Sequence, residues 1–107
     1  MTDKIVVLST CSSRDEAERI ASQLVDKRLA ACVNIVEGVR SIYRWQGAVE
    51  EASEILLIIK SRRSLFRRLR EELSGMHSYQ TPEIIAAAIV DGAPAYLEWL
   101  ERELASE

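Results

Sequence analysis

The chain contains little of the chemistry that marks disulfide-rich, zinc-binding or redox proteins. Only two of its 107 residues are cysteine, Cys11 and Cys32, and they are not spaced as Cys-x-x-Cys. Two cysteines do not make a disulfide framework, which favours a reducing compartment, so we expect a cytoplasmic protein. Their spacing also excludes a zinc ribbon and a thioredoxin-type motif.

Long apolar runs are absent as well. The first residues, MTDKIVVLSTCSS, hold a short apolar run and no cleavage pattern, so we expect a strand there and not a signal peptide. No run approaches the roughly 18–20 residues of a membrane-spanning helix, so no membrane partner is expected. Hydrophobic residues are 48% and charged residues 29% of the chain, as in soluble globular proteins. We predict one domain, residues 1–107, with a single core.

The motifs of common catalytic sites are also missing. His77 is the only histidine, and there is no Ser-His-Asp order, no HExxH and no phosphate-binding glycine loop. We therefore expect no enzymatic activity and no obligatory cofactor. A formal net charge of −3 argues against nucleic acid as a partner. The arginines between residues 62 and 70 precede Glu71 and Glu72, which is typical of an ion-paired helix surface.

The remaining sequence alternates between strand and helix patterns. Ser13 and Glu16 form a capping box that predicts a helix ending near Lys27–Arg28. A second helix with Leu65, Leu69 and Leu73 on one face is capped by Ser61 or Ser64 and stops at Gly75, and Pro94 begins a third. Strands are predicted over residues 4–10, 31–45 with a bulge at Gly38, 52–61 after a Gln46-Gly47 turn, and 82–90.

This order, β-α-β-β-α-β with an extra C-terminal helix, predicts an α+β fold of the ferredoxin-like type. Such a sheet has helices on one face only, yet its strands are apolar on both faces: Leu56 and Ile58 alternate with Leu57 and Ile59. Apolar surface costs about 25 cal/mol per Å² when exposed, so we expect an obligate homo-oligomer that packs sheet against sheet. RNA-recognition domains share this order, but strand three, EILLIIK, lacks the aromatic residues that stack bases.

Five segments together resemble one family, the CutA divalent-cation tolerance proteins. They are LAACVNI (29–35), S-x-Y-x-W-x-G (41–47), E-x-x-L-x-I-K (54–60), H-x-Y-x-x-P-E-I-I (77–85) and G-x-x-x-Y-L-x-W-L (92–100). The resemblance implies a ferredoxin-like subunit and a homotrimer similar to the PII signalling proteins. It also implies a role in divalent-metal tolerance, with Cu(II) or another divalent cation as ligand.

The same resemblance implies a set of metal ligands. The family's copper motif has a cysteine at the end of strand one, where this chain has Ser9, and a pair of adjacent histidines, where it has Met76 and His77. Cys11 is the candidate replacement for the cysteine, so the predicted ligands are His77, Cys11 and Met76. Cys11 also lies near a helix N-terminus, which predicts a lowered pKa. In the alternative, His77 hydrogen-bonds a backbone carbonyl or Glu83 and shapes the loop.

Aromatic residues predict an interface or a cleft between subunits. Tyr43, Trp45, Tyr79 and Trp99 lie in predicted loops and at the ends of elements, where such residues anchor interfaces. Glu83 leads a predicted buried strand, and a buried carboxylate needs a partner. The candidates are Lys60 and an arginine of a neighbouring subunit.

Three functions remain open from the sequence. The first is a non-enzymatic homotrimer for metal-ion tolerance or response, with weak Cu(II) binding near His77. The second is a PII-like regulatory trimer that binds a small anionic ligand in the inter-subunit cleft. The third is a structural module that stabilises a partner protein.

Overall fold

The computed structural model describes residues 2–106 and confirms the ferredoxin-like α+β order. Four antiparallel strands form one sheet in the order β2-β3-β1-β4. A short 3₁₀ turn, Arg63–Leu65, joins β3 to the second helix. The elements are β1 (Lys4–Cys11), α1 (Arg14–Asp26), β2 (Cys32–Trp45), β3 (Ala48–Arg62), α2 (Phe66–Met76), β4 (Ile85–Ala88) and α3 (Pro94–Glu103).

The core lies between α1, α2 and one face of the sheet. Alternate residues of β1 and β3 point to this face, as the two-residue period of a strand requires. The helices contribute the apolar positions of their 3.6-residue period. The buried side chains include Ile5, Val7 and Cys11 of β1, Leu57 and Ile59 of β3, Ile20 and Leu24 of α1, and Leu69 and Leu73 of α2.

The predicted cap of α1 is confirmed in part. Ser13 Oγ accepts a hydrogen bond from the Glu16 N–H at 3.2 Å. In a full capping box the Glu16 carboxylate would accept from the Ser13 N–H. Here it accepts from the Ser12 N–H at 3.3 Å and from the Ser78 N–H at 2.7 Å. The helix ends at Asp26, and Arg28 follows in the left-handed region, with φ 61°.

The β2–β3 hairpin continues beyond the rest of the sheet. The pairing of β1 with β3 stops at Cys11↔Ile55, whereas β2 and β3 go on pairing from Val39↔Glu54 to the turn. Residues 39–54 are therefore a two-stranded segment, called the arm below. The predicted bulge and turn are confirmed, with Gly38 at φ 79° and Gly47 at φ 84°.

Helix α3 packs at the other end of the sheet. Leu100 and Leu104 are buried in the core cluster, and Glu101 contacts two buried cations. Lys4 Nζ lies 2.8 Å from the Glu101 carboxylate, and a guanidinium nitrogen of Arg62 lies 3.5 Å from it. Lys4 and Arg62 are ladder partners on the face opposite the core, so α3 covers that end of the second face.

Three sequence predictions about elements are wrong. Strand four spans Ile85–Ala88 and not 82–90, because the ladder with β1 covers these four residues and is followed by one further hydrogen bond, from the Ile89 N–H to the Lys4 carbonyl at 3.0 Å. Helix α2 continues through Gly75 to Met76. Among the described residues no side chain caps it, since the Ser61 hydroxyl donates instead to the Leu29 carbonyl at 2.7 Å and Ser64 Oγ accepts from Arg62 Nε.

Candidate functional site

His77 occupies the first position after α2, in the loop of residues 77–84 that leads to β4. Its side chain is fully buried. Nε2 lies 2.8 Å from the Thr10 carbonyl oxygen, and Nδ1 accepts a hydrogen bond from the Tyr79 N–H at 3.1 Å. A carbonyl can only accept, so these partners assign the neutral tautomer protonated at Nε2. The alternative in which His77 bonds a backbone carbonyl is confirmed, and both ring nitrogens are engaged.

The other two predicted metal ligands are not arranged around a free imidazole. Cys11 is fully buried at the end of β1, and burial, followed by the charges of Glu16 and Glu54, raises the pKa of its thiol to about 11. The prediction of a lowered pKa is therefore wrong, because the buried setting outweighs the nearby helix N-terminus. Met76, the last residue of α2, is half-buried against the core.

The donor set therefore does not fit a closed copper site within one chain. Copper prefers several imidazole or thiolate ligands close together. Within residues 2–106 no group of three or more His, Cys, Asp or Glu side chains is placed to hold a metal ion. The imidazole of His77 becomes available only if it gives up its hydrogen bond to Thr10 or to Tyr79.

Glu16 connects the start of α1 to the loop. Besides the two N–H groups of Ser12 and Ser78, its carboxylate lies 3.9 Å from Nδ1 of His77. Burial acts to raise the pKa of Glu16, but the hydrogen bonds from Ser78 and Ser12 outweigh it, so the pKa is lowered. The sequence identified Glu16 only as a capping residue, and its contact with the loop was missed.

Tyr79 and Glu54 form a second polar pair beside His77. The Tyr79 hydroxyl donates to Glu54 Oε2 at 2.7 Å, and the Tyr79 ring lies 4.8 Å from the His77 ring. Burial, followed by the hydrogen bond to Glu54 and its charge, raises the pKa of Tyr79 above its ordinary value of 10.0. Tyr79 therefore remains a protonated donor at neutral pH.

A cavity of about 600 Å³ lies where the arm meets the loop of residues 77–84. Its lining is aromatic and acidic, and none of the described residues that form it is basic. It is lined by Tyr43, Trp45, Ser41, Ile42 and Glu54 of the arm, by Tyr79, Gln80, Thr81 and Glu83 of the loop, and by Thr10 of β1.

The structure brings together four of the six residues predicted for an interface or cleft: Tyr43, Trp45, Tyr79 and Glu83 all line this cavity. The other two lie elsewhere. Lys60 contacts the side chain of Asn34, and the Trp99 ring lies 5.6 Å from Tyr96 on α3.

Glu83 is not buried within the single chain, and its predicted pairing with an arginine of a neighbouring subunit stays a prediction. Glu83 is exposed, because it precedes β4 in the loop instead of leading a buried strand. The buried carboxylate at this site is Glu54, which was missed as a site residue. Its signal was in the sequence, since a charge at the start of the apolar run ILLII of strand three is unusual.

Comparisons with known proteins agree on one family. The family model described as CutA1 divalent ion tolerance protein matches residues 5–103. The divalent-cation tolerance protein CutA of Thermus thermophilus is 50% identical over 95 residues, which are 89% of this chain and 92% of the relative. The chloroplastic protein CutA of Arabidopsis thaliana is 47% identical over 91% of this chain, which spans only 53% of that relative's length.

Solved structures give the same result for the fold. A divalent cation tolerance protein from Thermus thermophilus superposes with a TM-score of 0.93 at 47% identity, covering 95% of this chain and 99% of that one. CutA1 from Oryza sativa superposes with a TM-score of 0.96 at 42% identity, covering 99% and 97%.

The cellular location of the relatives varies. The Arabidopsis relative is described as chloroplastic, and a solved CutA structure from Archaeoglobus fulgidus is described as periplasmic. Among the described residues, no helix has the length and apolarity to cross a membrane. The cytoplasmic location expected from the sequence stays a prediction.

Proposed function

This chain belongs to the CutA1 divalent ion tolerance family, and we propose that it contributes to divalent-cation tolerance as a cytoplasmic homotrimer without a catalytic step. The family and its relatives support the tolerance role by their names. The observation that supports association is apolar surface left open on a single chain, and the number of three copies follows the family resemblance. Ile42 and Val49 on the arm, and Ile85 and Val90 around β4, are each more than half exposed.

Such a surface favours association. Fully burying a side chain of this size contributes about 1.5–3 kcal/mol, and monomeric proteins rarely leave several together in water. The arm projects beyond the sheet, so it can reach a neighbouring chain. Strand β4 lies at the edge of the sheet, where its backbone groups on the side away from β1 can pair with another chain. These features support an assembly in which the arm and the open sheet face are covered by other copies.

The metal interaction we propose is weak and does not use a closed site. Both nitrogens of His77 are occupied, and the thiol of Cys11 is buried with a raised pKa. A Cu(II) ion that used either group would have to displace a hydrogen bond or deprotonate a buried thiol. Exposed carboxylates bind divalent ions without either cost, though weakly.

A calorimetric titration of Cu(II) at neutral pH, in a weakly coordinating buffer, tests this proposal. Wild type and His77→Ala are compared, with His77→Asn as the conservative variant. We expect weak binding that differs less than about twofold among the three proteins. Stoichiometric micromolar binding that disappears in both variants, while their mass by light scattering is unchanged, would contradict it and place the ion at His77.

The anionic-ligand alternative has less support in this chain. Glu54 and Glu83 line the cavity, and no described lining residue is basic. An anion would therefore meet like charge there unless a neighbouring copy supplied cations.

A further inference from the structure

We propose that the cavity between the arm and the loop of residues 77–84 binds an organic cation, a guanidinium or a primary ammonium group, with Glu54 as its counter-ion. This inference goes beyond metal tolerance and does not depend on it. It rests on the cavity's buried carboxylate, its charge balance and its aromatic walls.

Glu54 is a buried carboxylate with too few partners. Its exposed fraction is 9%, and it accepts one hydrogen bond, from the neutral hydroxyl of Tyr79 at 2.7 Å. Among residues 2–106 it has no ion pair and no second donor. The carboxylate keeps slight contact with solvent, but a largely buried negative charge is costly unless it is paired and is normally balanced by a cation. Because Glu54 lines the cavity, a ligand there can supply that charge.

The charge balance of the cavity favours a cation over an anion. Tyr79 stays protonated and donates to Glu54, so it cannot neutralise the carboxylate. Glu83, exposed in the loop, adds a second negative charge to the same lining. The basic side chains of the arm, Arg40 and Arg44, do not line the cavity, and Arg40 is already paired with Glu51.

The walls of the cavity select an organic cation over a metal ion. Tyr43 and Trp45 of the arm, with Tyr79 of the loop, present three aromatic rings. Aromatic faces attract ammonium and guanidinium groups, and the attraction grows when the site excludes water. A hard divalent ion instead needs several oxygen ligands, and no acidic or metal-binding triplet is present within residues 2–106.

The test is a metal-free titration with butylguanidinium chloride and butylammonium chloride, with sodium butyrate as the anionic control at matched ionic strength. The variants are Glu54→Gln and, as a matched control, Glu50→Gln, which removes an exposed carboxylate from the same strand. Trp45→Leu removes one aromatic wall at an exposed position and so keeps the test valid if Glu54→Gln fails to fold.

We expect wild type to bind at least one cation and not butyrate. Glu54→Gln should weaken binding about tenfold or more, Trp45→Leu severalfold, and Glu50→Gln less than twofold. Absence of binding by both cations would overturn the proposal, and a lower oligomer mass of Glu54→Gln alone would then assign the cationic partner of Glu54 to a second copy of the chain. Equal cation binding by wild type, Glu54→Gln and Trp45→Leu would overturn the proposal.

Discussion

Two buried serines show how differently one residue type behaves in the same core. Ser9 on β1 and Ser61 on β3 are both fully buried on the face that packs against the helices. The Ser61 hydroxyl donates to the Leu29 carbonyl at 2.7 Å. The Ser9 hydroxyl has no hydrogen-bond partner among residues 2–106. A buried polar group without a partner costs free energy that a bonded one does not.

Alanine should therefore have opposite effects at the two positions. Ser9→Ala removes an unsatisfied hydroxyl, and we expect it to raise the free energy of unfolding by about 1 kcal/mol. Ser61→Ala leaves the Leu29 carbonyl without its donor and should lower it by about 1–2 kcal/mol. Urea denaturation of the three proteins at one protein concentration measures both. Equal destabilisation by the two substitutions would contradict the claim that the Ser61 hydroxyl is hydrogen-bonded and the Ser9 hydroxyl is not.

At the residue scale, the sequence identified the aromatic residues that line the cavity but missed its largely buried carboxylate, Glu54. The aromatic residues Tyr43, Trp45 and Tyr79 were predicted because large rings at the ends of elements rarely lack a contact. Glu54 was missed, although a charge beside the apolar run of strand three is unusual, because its hydrogen-bond partner Tyr79 lies 25 residues away in the sequence. Local patterns do not contain that contact.

Glu16 acts at the scale of elements, because it joins the first turn of α1 to the loop after α2. The two N–H groups it binds, from Ser12 and Ser78, belong to segments far apart in sequence. The hydrogen bonds hold its pKa below 4.5 despite burial. Its charged form is therefore more stable in the folded chain than in the unfolded one.

Acid should loosen this connection. The stabilisation from Glu16 is complete above pH 4.5, its unfolded value, and is lost as the pH falls through the lower folded value. We expect the free energy of unfolding of wild type to fall more steeply with acid than that of Glu16→Gln. Glu18→Gln, which changes an exposed residue of the same helix, should follow wild type. Parallel pH profiles for wild type and Glu16→Gln would exclude this role.

The sequence predicted elements well where the signal was local. The capping residue Ser13 and the bulge at Gly38 depend on their own neighbours, and both were found. Strand four was predicted too long because the run IIAAAIV is apolar throughout, whereas pairing depends on β1, its one partner in the sheet. Gly75 was interpreted as a stop signal, but the helix continues one residue further, because one glycine in a helix costs only about 1 kcal/mol of free energy.

At the scale of the whole molecule, the arm should decide assembly. Val49 lies on the arm and is 65% exposed, whereas Val25 lies on α1 and is 42% exposed. We expect Val49→Lys to raise the concentration at which the oligomer dissociates about tenfold or more, since it replaces an apolar contact with a charge. Val25→Lys, the same change away from the arm, should leave dissociation unchanged. Light scattering over a dilution series measures both.

A monomeric wild type at micromolar concentration would contradict this assembly. Identical dissociation of the two lysine variants would also do so, because the arm would then contribute no more than any other surface. A monomeric wild type would mean that no oligomer forms. Identical dissociation of the two variants would mean that the oligomer forms through contacts outside the arm.

The strand order also predicts a sequence of events during folding. The β2–β3 hairpin is closed by a two-residue turn, so it can form alone within microseconds. β1 must wait, because its partners β3 and β4 come later in the chain. Loops that long are slow to close. On the ribosome, we expect β1 to be synthesised before both of its partners and to pair after the hairpin, which emerges with its apolar side chains still uncovered.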